Sequence, residues 1–439
     1  MPTTNFDQDS DCCPDVVPSS VLSPRRWPFD LEWLPVATYL VGGNVRDALL
    51  GRHADYLDLD FVMPLGAVET AQAIARYYRA GFVLLDADRK IARVVFEQAT
   101  ADFAQQVGPT LESDLYRRDF TVNAIAYHPQ TETLLDPLQG HSDINQGLIR
   151  MVSRENLEED PLRLLRAYRQ AAQLGFRVES QTRAAIQNLA GLLQNVAPER
   201  VQSEVSYLLS TPDGTGMLML AWQDGLLKHW LPHITQERLQ RVAQIDQSAA
   251  SLSASMPKFD EVLKSWIRDQ QKASASQRNW LKIAKLTQLV SDDIDEAEHE
   301  LWRLKYSRAE VHAVLTLLRV MPQLSTDTLP YLSRRDLYFF FQTVGVTLPA
   351  AAVLAVALGR STEAIAPIVS RFLDKDDPIA HPHPLLSGRD LMTKLDIPPG
   401  PQVGHLLEAI QIARAEGKIA SADDALSFAK TRLEHGTLE

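Results

Sequence analysis

Cysteine is almost missing from this chain: there are two in 439 residues, and they are neighbours, Cys12 and Cys13. Adjacent thiols give neither a disulfide framework nor the ligand spacing of a zinc site, so a reducing cytoplasm is the expected location. Long apolar runs are scarce too. No stretch reads as the roughly 20 apolar residues that a spanning helix needs, so no membrane partner is expected. The first 34 residues mix Asp, Ser and Pro without an apolar segment or an arginine-rich amphipathic pattern; they read as a disordered tail, not a leader. Positive charge is also in deficit, with 44 Lys and Arg against 56 Asp and Glu and a net charge of −12. A surface for RNA phosphates would have to be a local basic patch on an acidic body.

What the chain does have is length and one dense stretch. At 45% hydrophobic content, 439 residues can build several cores. The stretch is YLVGGNVRDALLGRHADYLDLDFV, Tyr39 to Val62. In Leu57-Asp58-Leu59-Asp60-Phe61-Val62 apolar and acidic residues alternate, so a strand turns Leu57, Leu59 and Phe61 to one face and Asp58 and Asp60 to the other. Two carboxylates on one surface repel each other, and a divalent cation such as Mg2+ relieves that repulsion with oxygen ligands. Ahead of them an apolar strand from Ala37 to Val41 runs into Gly42-Gly43, where missing side chains let backbone N–H groups approach an anion. The helix from Asn44 to Leu50 then places Arg46 within reach of a phosphate. Alone, the glycines make an ordinary turn and the Asp-x-Asp an ordinary strand edge. Their order within one strand, turn, helix and strand unit points to metal-assisted nucleotidyl transfer.

The run GGNVRDALLGR followed by DLDFV resembles the signature of the class II tRNA nucleotidyltransferases and bacterial poly(A) polymerases. The resemblance implies that Gly42, Gly43 and Arg46 hold the incoming triphosphate and that Asp58 and Asp60 bind magnesium. It also implies an acidic residue in a later strand of the head, for which Asp102 is the candidate; a surface aspartate fits that position equally well. DLYRRDFTVNA, from Asp114 to Ala124, resembles the second motif of the family. Arg118 offers a charged fork for phosphate, while Asp119 and Asn123 offer groups for ribose hydroxyls.

A third stretch, EDPLRLLRAYR, starts at Glu159. Three residues apart on a helix, Asp160 and Arg163 would set an acceptor beside a donor. Cytosine and adenine present the complementary amino group and ring nitrogen, whereas uracil and guanine do not. Asp160 before Pro161 is equally a good helix start, and Arg163, Arg166 and Arg169 an ordinary solvated stripe. The stretch resembles the EDxxR motif with which the family selects CTP and ATP without a nucleic-acid template, which implies nucleotide contacts for Glu159, Asp160, Arg163 and Arg166. Further on, PERVQSE resembles a motif that braces this helix through Arg200 and Glu204.

After Ser210 the pattern is helical, with one or two helices expected over Leu301 to Leu318. Near the C-terminus, Arg389 and the Gly/Pro turn with Gly400 and Gly404 ahead of a helix to Gly417 are RNA-binding candidates, since such a turn can hold a backbone phosphate. The resemblance implies an elongated molecule with an α+β nucleotidyltransferase head, a mixed sheet with flanking helices, followed by all-α domains. The expected boundaries are a tail at 1–34, the head at 35–152, a nucleotide-selecting neck at 153–210, a helical body at 211–368 and a tRNA-binding tail domain at 369–439. The implied reaction is attack of a tRNA 3′-hydroxyl on the α-phosphate of CTP or ATP at a two-metal centre, with tRNA bound at its 3′ end and elbow and no obligate protein partner. Relatives that complete CCA carry a longer charged loop before the second motif. Here only Ala104 to Ser113 stand there, without Lys or Arg. CC addition is therefore expected, with full CCA addition, poly(A) synthesis and a non-catalytic RNA-binding protein as alternatives.

Overall fold

The computed structural model describes residues 21–52, 56–265, 279–326 and 329–434. Cys12, Cys13 and the first 20 residues of the expected tail lie outside them. Two compact units are present, one running to Val196 with Gln223–Leu226 added, the other made of Ala197–Trp222 and the chain from Leu227 onward. The break at 196/197 falls inside the segment expected to be a separate neck.

The first unit begins with a mixed seven-stranded sheet. Its strands are β1 (Tyr39–Val41), β2 (Leu57–Met63), β3 (Gly81–Asp86), β4 (Ile91–Val95), β5 (Ala99–Gln105), β6 (Ala126–His128) and β7 (Thr133–Leu135), in the order β3-β4-β5-β2-β1-β6-β7. Only β2 and β5 run parallel; the other neighbours are antiparallel. The alternation in β2 is realised as expected, with Leu57, Leu59 and Phe61 buried and the two aspartates on the opposite face. Helices α1 (Gly43–Leu49), α2 (Ala67–Tyr78), α3 (Leu111–Leu115) and α4 (Gly140–Gln146) complete the head.

Residues 21–34 correct the expectation of a disordered tail. Pro24–Arg26 and Leu31–Trp33 form short turns of 3₁₀ helix, and Trp27 and Phe29 are buried. Both rings pack on Phe61, at centroid distances of 5.0 and 5.8 Å, so this segment covers the apolar face of the sheet. Composition averaged over the whole segment concealed two aromatic anchors.

Beyond the head the unit continues with β8 (Leu148–Ile149), α5 (Arg154–Glu159), α6 (Leu162–Leu174), β9 (Arg177–Val178) and α7 (Ser180–Leu189). Helix α6 buries Leu164, Leu165, Tyr168 and Ala171 and ends at Gly175, whose φ of 73° is the left-handed conformation that stops a helix. Asp224 locks this packing: its carboxylate accepts a fork from Arg183 at 2.7 and 2.9 Å, Gln187 at 2.7 Å and the Tyr168 hydroxyl.

The second unit is helical. It opens with Pro198–Ser210, and the expected run 301–318 divides into Ile294–Arg303 and Arg308–Leu324. Ser307 starts the second of these with a capping box to Glu310. The helical run Arg334–Ala357 is long and apolar enough to cross a membrane, contrary to the sequence reading, but 67% of its apolar window is buried inside the protein. It is a core element of this unit. The last helices, Gly388–Leu395, Pro401–Glu416 and Ala422–Glu434, share a small core built on Leu391, Val403, Leu406 and Ile410.

Candidate active site

One row of side chains follows from strand register. Because β2 and β5 are parallel with Asp58 opposite Thr100 and Asp60 opposite Asp102, all four project from the same face. The Thr100 hydroxyl donates to Asp58, and Asn44 donates to the Asp58 backbone carbonyl. Asp60 is half-buried. Burial, followed by repulsion from Asp58 and Asp102, pushes its carboxyl up to about 7, while Arg118 and Arg93 pull the other way. Gly42 reaches the row with a φ of 76°, and a Cβ there would stand 3.4 Å from both Asp60 Oδ2 and Arg118 Nη1.

Asp102, the candidate third carboxylate, is engaged by an arginine in this arrangement. The antiparallel β4 sets Arg93 directly opposite it, and the guanidinium donates Nε and Nη2 to the two oxygens at 2.6 and 2.8 Å. Among the described residues no group of three His, Cys, Asp or Glu side chains is placed to hold a metal ion. The carboxylate pair Asp58 and Asp60 stands by itself.

Arg118 follows α3 and donates to Asp114 at 3.3 Å, but its buried Nε has no hydrogen-bond partner. Arg46 is 5% exposed and donates to Asn123 Oδ1 at 2.7 Å and to Asp47 at 2.9 Å. Asn123 in turn donates Nδ2 to Asp119 Oδ1 at 2.9 Å and to Gln170 Oε1 at 3.0 Å. Both amide protons are engaged within the protein, and through them Asn123 connects the head to α6.

These groups meet in a cleft of about 440 Å³. It is lined by Gly42, Gly43, Arg46, Asp58, Asp60, Arg118, Asp119, Asn123 and Arg166 from the sequence reading, together with Asn44, Asp47, Arg169, Gln170 and Gln173, which the motifs did not point to. Helical spacing from Arg166 would have found three of these, since residues three, four and seven positions on share its face.

Glu159, Asp160 and Arg163 do not line the cleft. Glu159 pairs with Arg117 at 3.0 Å, and Arg163 Nη1 donates to the Asn156 carbonyl at 3.0 Å. Asp160 sits in the extended link between α5 and α6, where its side chain accepts from Leu162 N at 3.3 Å, so the helix-start role competes with base reading here. Arg200 and Glu204 lie one turn apart in Pro198–Ser210, with Glu204 buried. Arg389, Gly400 and Gly404 are exposed at the starts of the two tail helices.

An Asp pair on a head-domain strand, a glycine turn beside it and arginines across the cleft define a nucleotidyltransferase head, here followed by helical domains. Comparison with known proteins narrows the class. The Poly A polymerase head domain matches residues 38–150, the RNA and SrmB-binding site of polymerase A matches 175–238, and tRNA nucleotidyltransferase domain 2 matches 271–429. A CC-adding tRNA nucleotidyltransferase of Synechocystis is 48% identical over 92% of this chain and 96% of its own length. An A-adding tRNA nucleotidyltransferase of Deinococcus radiodurans is 32% identical, covering 93% of this chain and 98% of its own. The fold is shared with the Thermotoga maritima CCA-adding enzyme solved with tRNA, at a TM-score of 0.66 and 22% identity over 90% of this chain and 91% of that one. The chain belongs to the tRNA nucleotidyltransferase family, and it is an enzyme of that family.

Proposed function

We propose that this enzyme adds cytidylates to the 3′ end of tRNA from CTP, in the cytoplasm, as a CC-adding tRNA nucleotidyltransferase. The observation that carries the reading is the cleft that joins the β2 carboxylate pair to Arg118 and the arginines of α6. The Synechocystis relative supports CC addition, while the Deinococcus relative shows that membership of the family does not by itself decide the nucleotide.

The donor set fits magnesium. Asp58 and Asp60 share one face, and a hard divalent cation offsets both the burial and the mutual repulsion that raise Asp60. Bound there, one or two magnesium ions would supply Lewis-acid stabilisation of the charge on the attacked phosphate and the departing pyrophosphate. The chain's own groups position the reactants. Arg118 takes the triphosphate through its terminal guanidinium nitrogens, and Gly42 keeps the space between Arg118 and Asp60 clear of a side chain. The tRNA 3′-oxygen forms the new bond to the α-phosphorus and gives up its proton to solvent, while the bond to the bridging oxygen breaks. Asp160 and Arg163 read the base, Arg163 exchanging the Asn156 carbonyl for a base acceptor. Arg389, Gly400 and Gly404 contact the tRNA elbow.

A short connection favours stopping at CC. Only five residues, 106–110, join β5 to α3. They are tied down by Gln106 N to Met63 O at 2.8 Å and Val107 N to Asp114 at 3.1 Å. No cationic loop is available there to refit the site for ATP. Incorporation on tRNA lacking CCA, with CTP alone, ATP alone and both, tests the reading. Two cytidylates and no terminal A are expected; clean CCA synthesis would replace CC by CCA specificity, and no incorporation, or equal extension of unstructured RNA, would overturn the tRNA assignment.

A further inference from the structure

Of the five cleft-lining side chains that the motifs did not point to, one is buried. Gln170 on α6 is only 5% exposed, yet it lines the cleft with Asp119 and Asn123. Amide orientation is fixed here by partners that have a single option. Arg46 can only donate, so the Asn123 atom it meets at 2.7 Å is the oxygen. The Asn123 nitrogen then gives one proton to Asp119 Oδ1 at 2.9 Å and the other to Gln170 Oε1 at 3.0 Å. Gln170 therefore turns its oxygen to Asn123, and its Nε2 has no hydrogen-bond partner among the described residues.

Asp119 is left with the opposite capacity. Its Oδ1 accepts from Asn123 and from Phe120 N at 2.8 Å, whereas its Oδ2 has only Arg166 Nη1 at 3.8 Å, beyond hydrogen-bond length. One amide nitrogen thus holds side by side an open N–H donor and an open carboxylate acceptor. Donor and acceptor both open to the cleft, where a ligand with the matching groups can replace solvent on them. Phosphate oxygens and base carbonyls accept but do not donate, and they would repel Asp119. A hydroxyl does both.

We propose that Gln170 is a specificity-determining residue that reads the sugar of the incoming nucleotide: its Nε2 donates to a ribose hydroxyl, and that hydroxyl donates to Asp119 Oδ2. The assignment rests on the nucleotide-transfer reading above. A site built to bond a hydroxyl rejects the analogue lacking it, because the open donor and acceptor then stay unpaired.

The test is single-nucleotide incorporation by the full-length protein on tRNA lacking CCA, with CTP, 2′-deoxy-CTP and 3′-deoxy-CTP, for wild type, Gln170→Leu and Gln170→Glu. Gln170→Glu keeps an oxygen for Asn123 but has no donor for the sugar, so it separates sugar reading from support of the network. The wild type is expected to disfavour one deoxy analogue, which identifies the hydroxyl. In both variants kcat/KM for CTP should fall about three- to tenfold, the effect of one hydrogen bond, and the ratio of CTP to that analogue should fall with it. Equal loss on CTP and the analogue, or a wild type indifferent to both hydroxyls, overturns the proposal. Should the wild type transfer no nucleotide, the transfer reading fails separately, and calorimetric binding of the same three nucleotides decides the sugar assignment by the same ratio, absence of binding counting against it.

Discussion

Two polar clusters, one in each unit, use their charges differently. In the helical unit Lys285 Nζ is ion-paired with Asp246 at 2.6 Å and donates to Thr211 O and Thr215 Oγ1 at 2.9 Å each. Lys282 meets Glu310, whose carboxylate also accepts from Ser307. In the cleft of the first unit, Arg118 Nε and Gln170 Nε2 stay open, and two aspartates share a face with Asp60 pushed up to about 7. Saturated charges hold a fold together; unsaturated ones cost stability and mark where a ligand completes the structure.

The comparison breaks most sharply at the carboxylate pair. Replacing Asp60 or Asp58 by Ala should cut CTP incorporation on the order of a thousandfold or more, the several kcal/mol that a metal-assisted centre supplies. Thermal unfolding should stay unchanged or move upward, because a repulsive pair has been relieved. A melting temperature that drops along with activity would show these aspartates to be structural. In the helical unit the reverse is expected. Lys285→Met leaves Asp246 buried without its cation and should destabilise by about 3–5 kcal/mol in urea unfolding, most of which the double replacement with Asp246→Leu restores. A single variant as stable as wild type would mean that the pair is not desolvated.

Asp224 sharpens the contrast within the first unit, being a saturated carboxylate in the same unit as the open cleft. Burial pushes its pKa up, but hydrogen bonds from Arg183, Gln187 and Tyr168 prevail and hold it below the usual carboxylate range. A depressed folded value means that the stabilisation is complete above the unfolded pKa of about 3.9 and disappears as pH falls through the lower folded value. Asp224→Asn should therefore cost about 2 kcal/mol at neutral pH, with the gap from wild type closing only in acid. Denaturant unfolding between neutral pH and pH 3 checks this, and a gap independent of pH would remove the carboxylate's charge from the explanation.

Legibility followed the range of the interaction. The strand alternation of Leu57 to Phe61 and the turn at Gly42 depend on neighbours in sequence, and they were readable there. The pairing of Asp102 was not readable, because the guanidinium that meets it comes from the antiparallel partner strand, nine residues away. The partners of Asn123 were not readable either, because a motif names residue types and does not count protons. Its two amide protons go to Asp119 in the head and to Gln170, 47 residues on.

The sequence by itself determined that two carboxylates share a strand face, that arginines follow at motif spacing and that helices succeed an α+β head, because periodicity and local capping act over a few residues. Which of those polar groups remain open to a ligand was decided only by the tertiary structure. A side chain is free or spent according to partners brought to it from distant segments, as Arg93 is brought to Asp102 and Gln170 to Asn123.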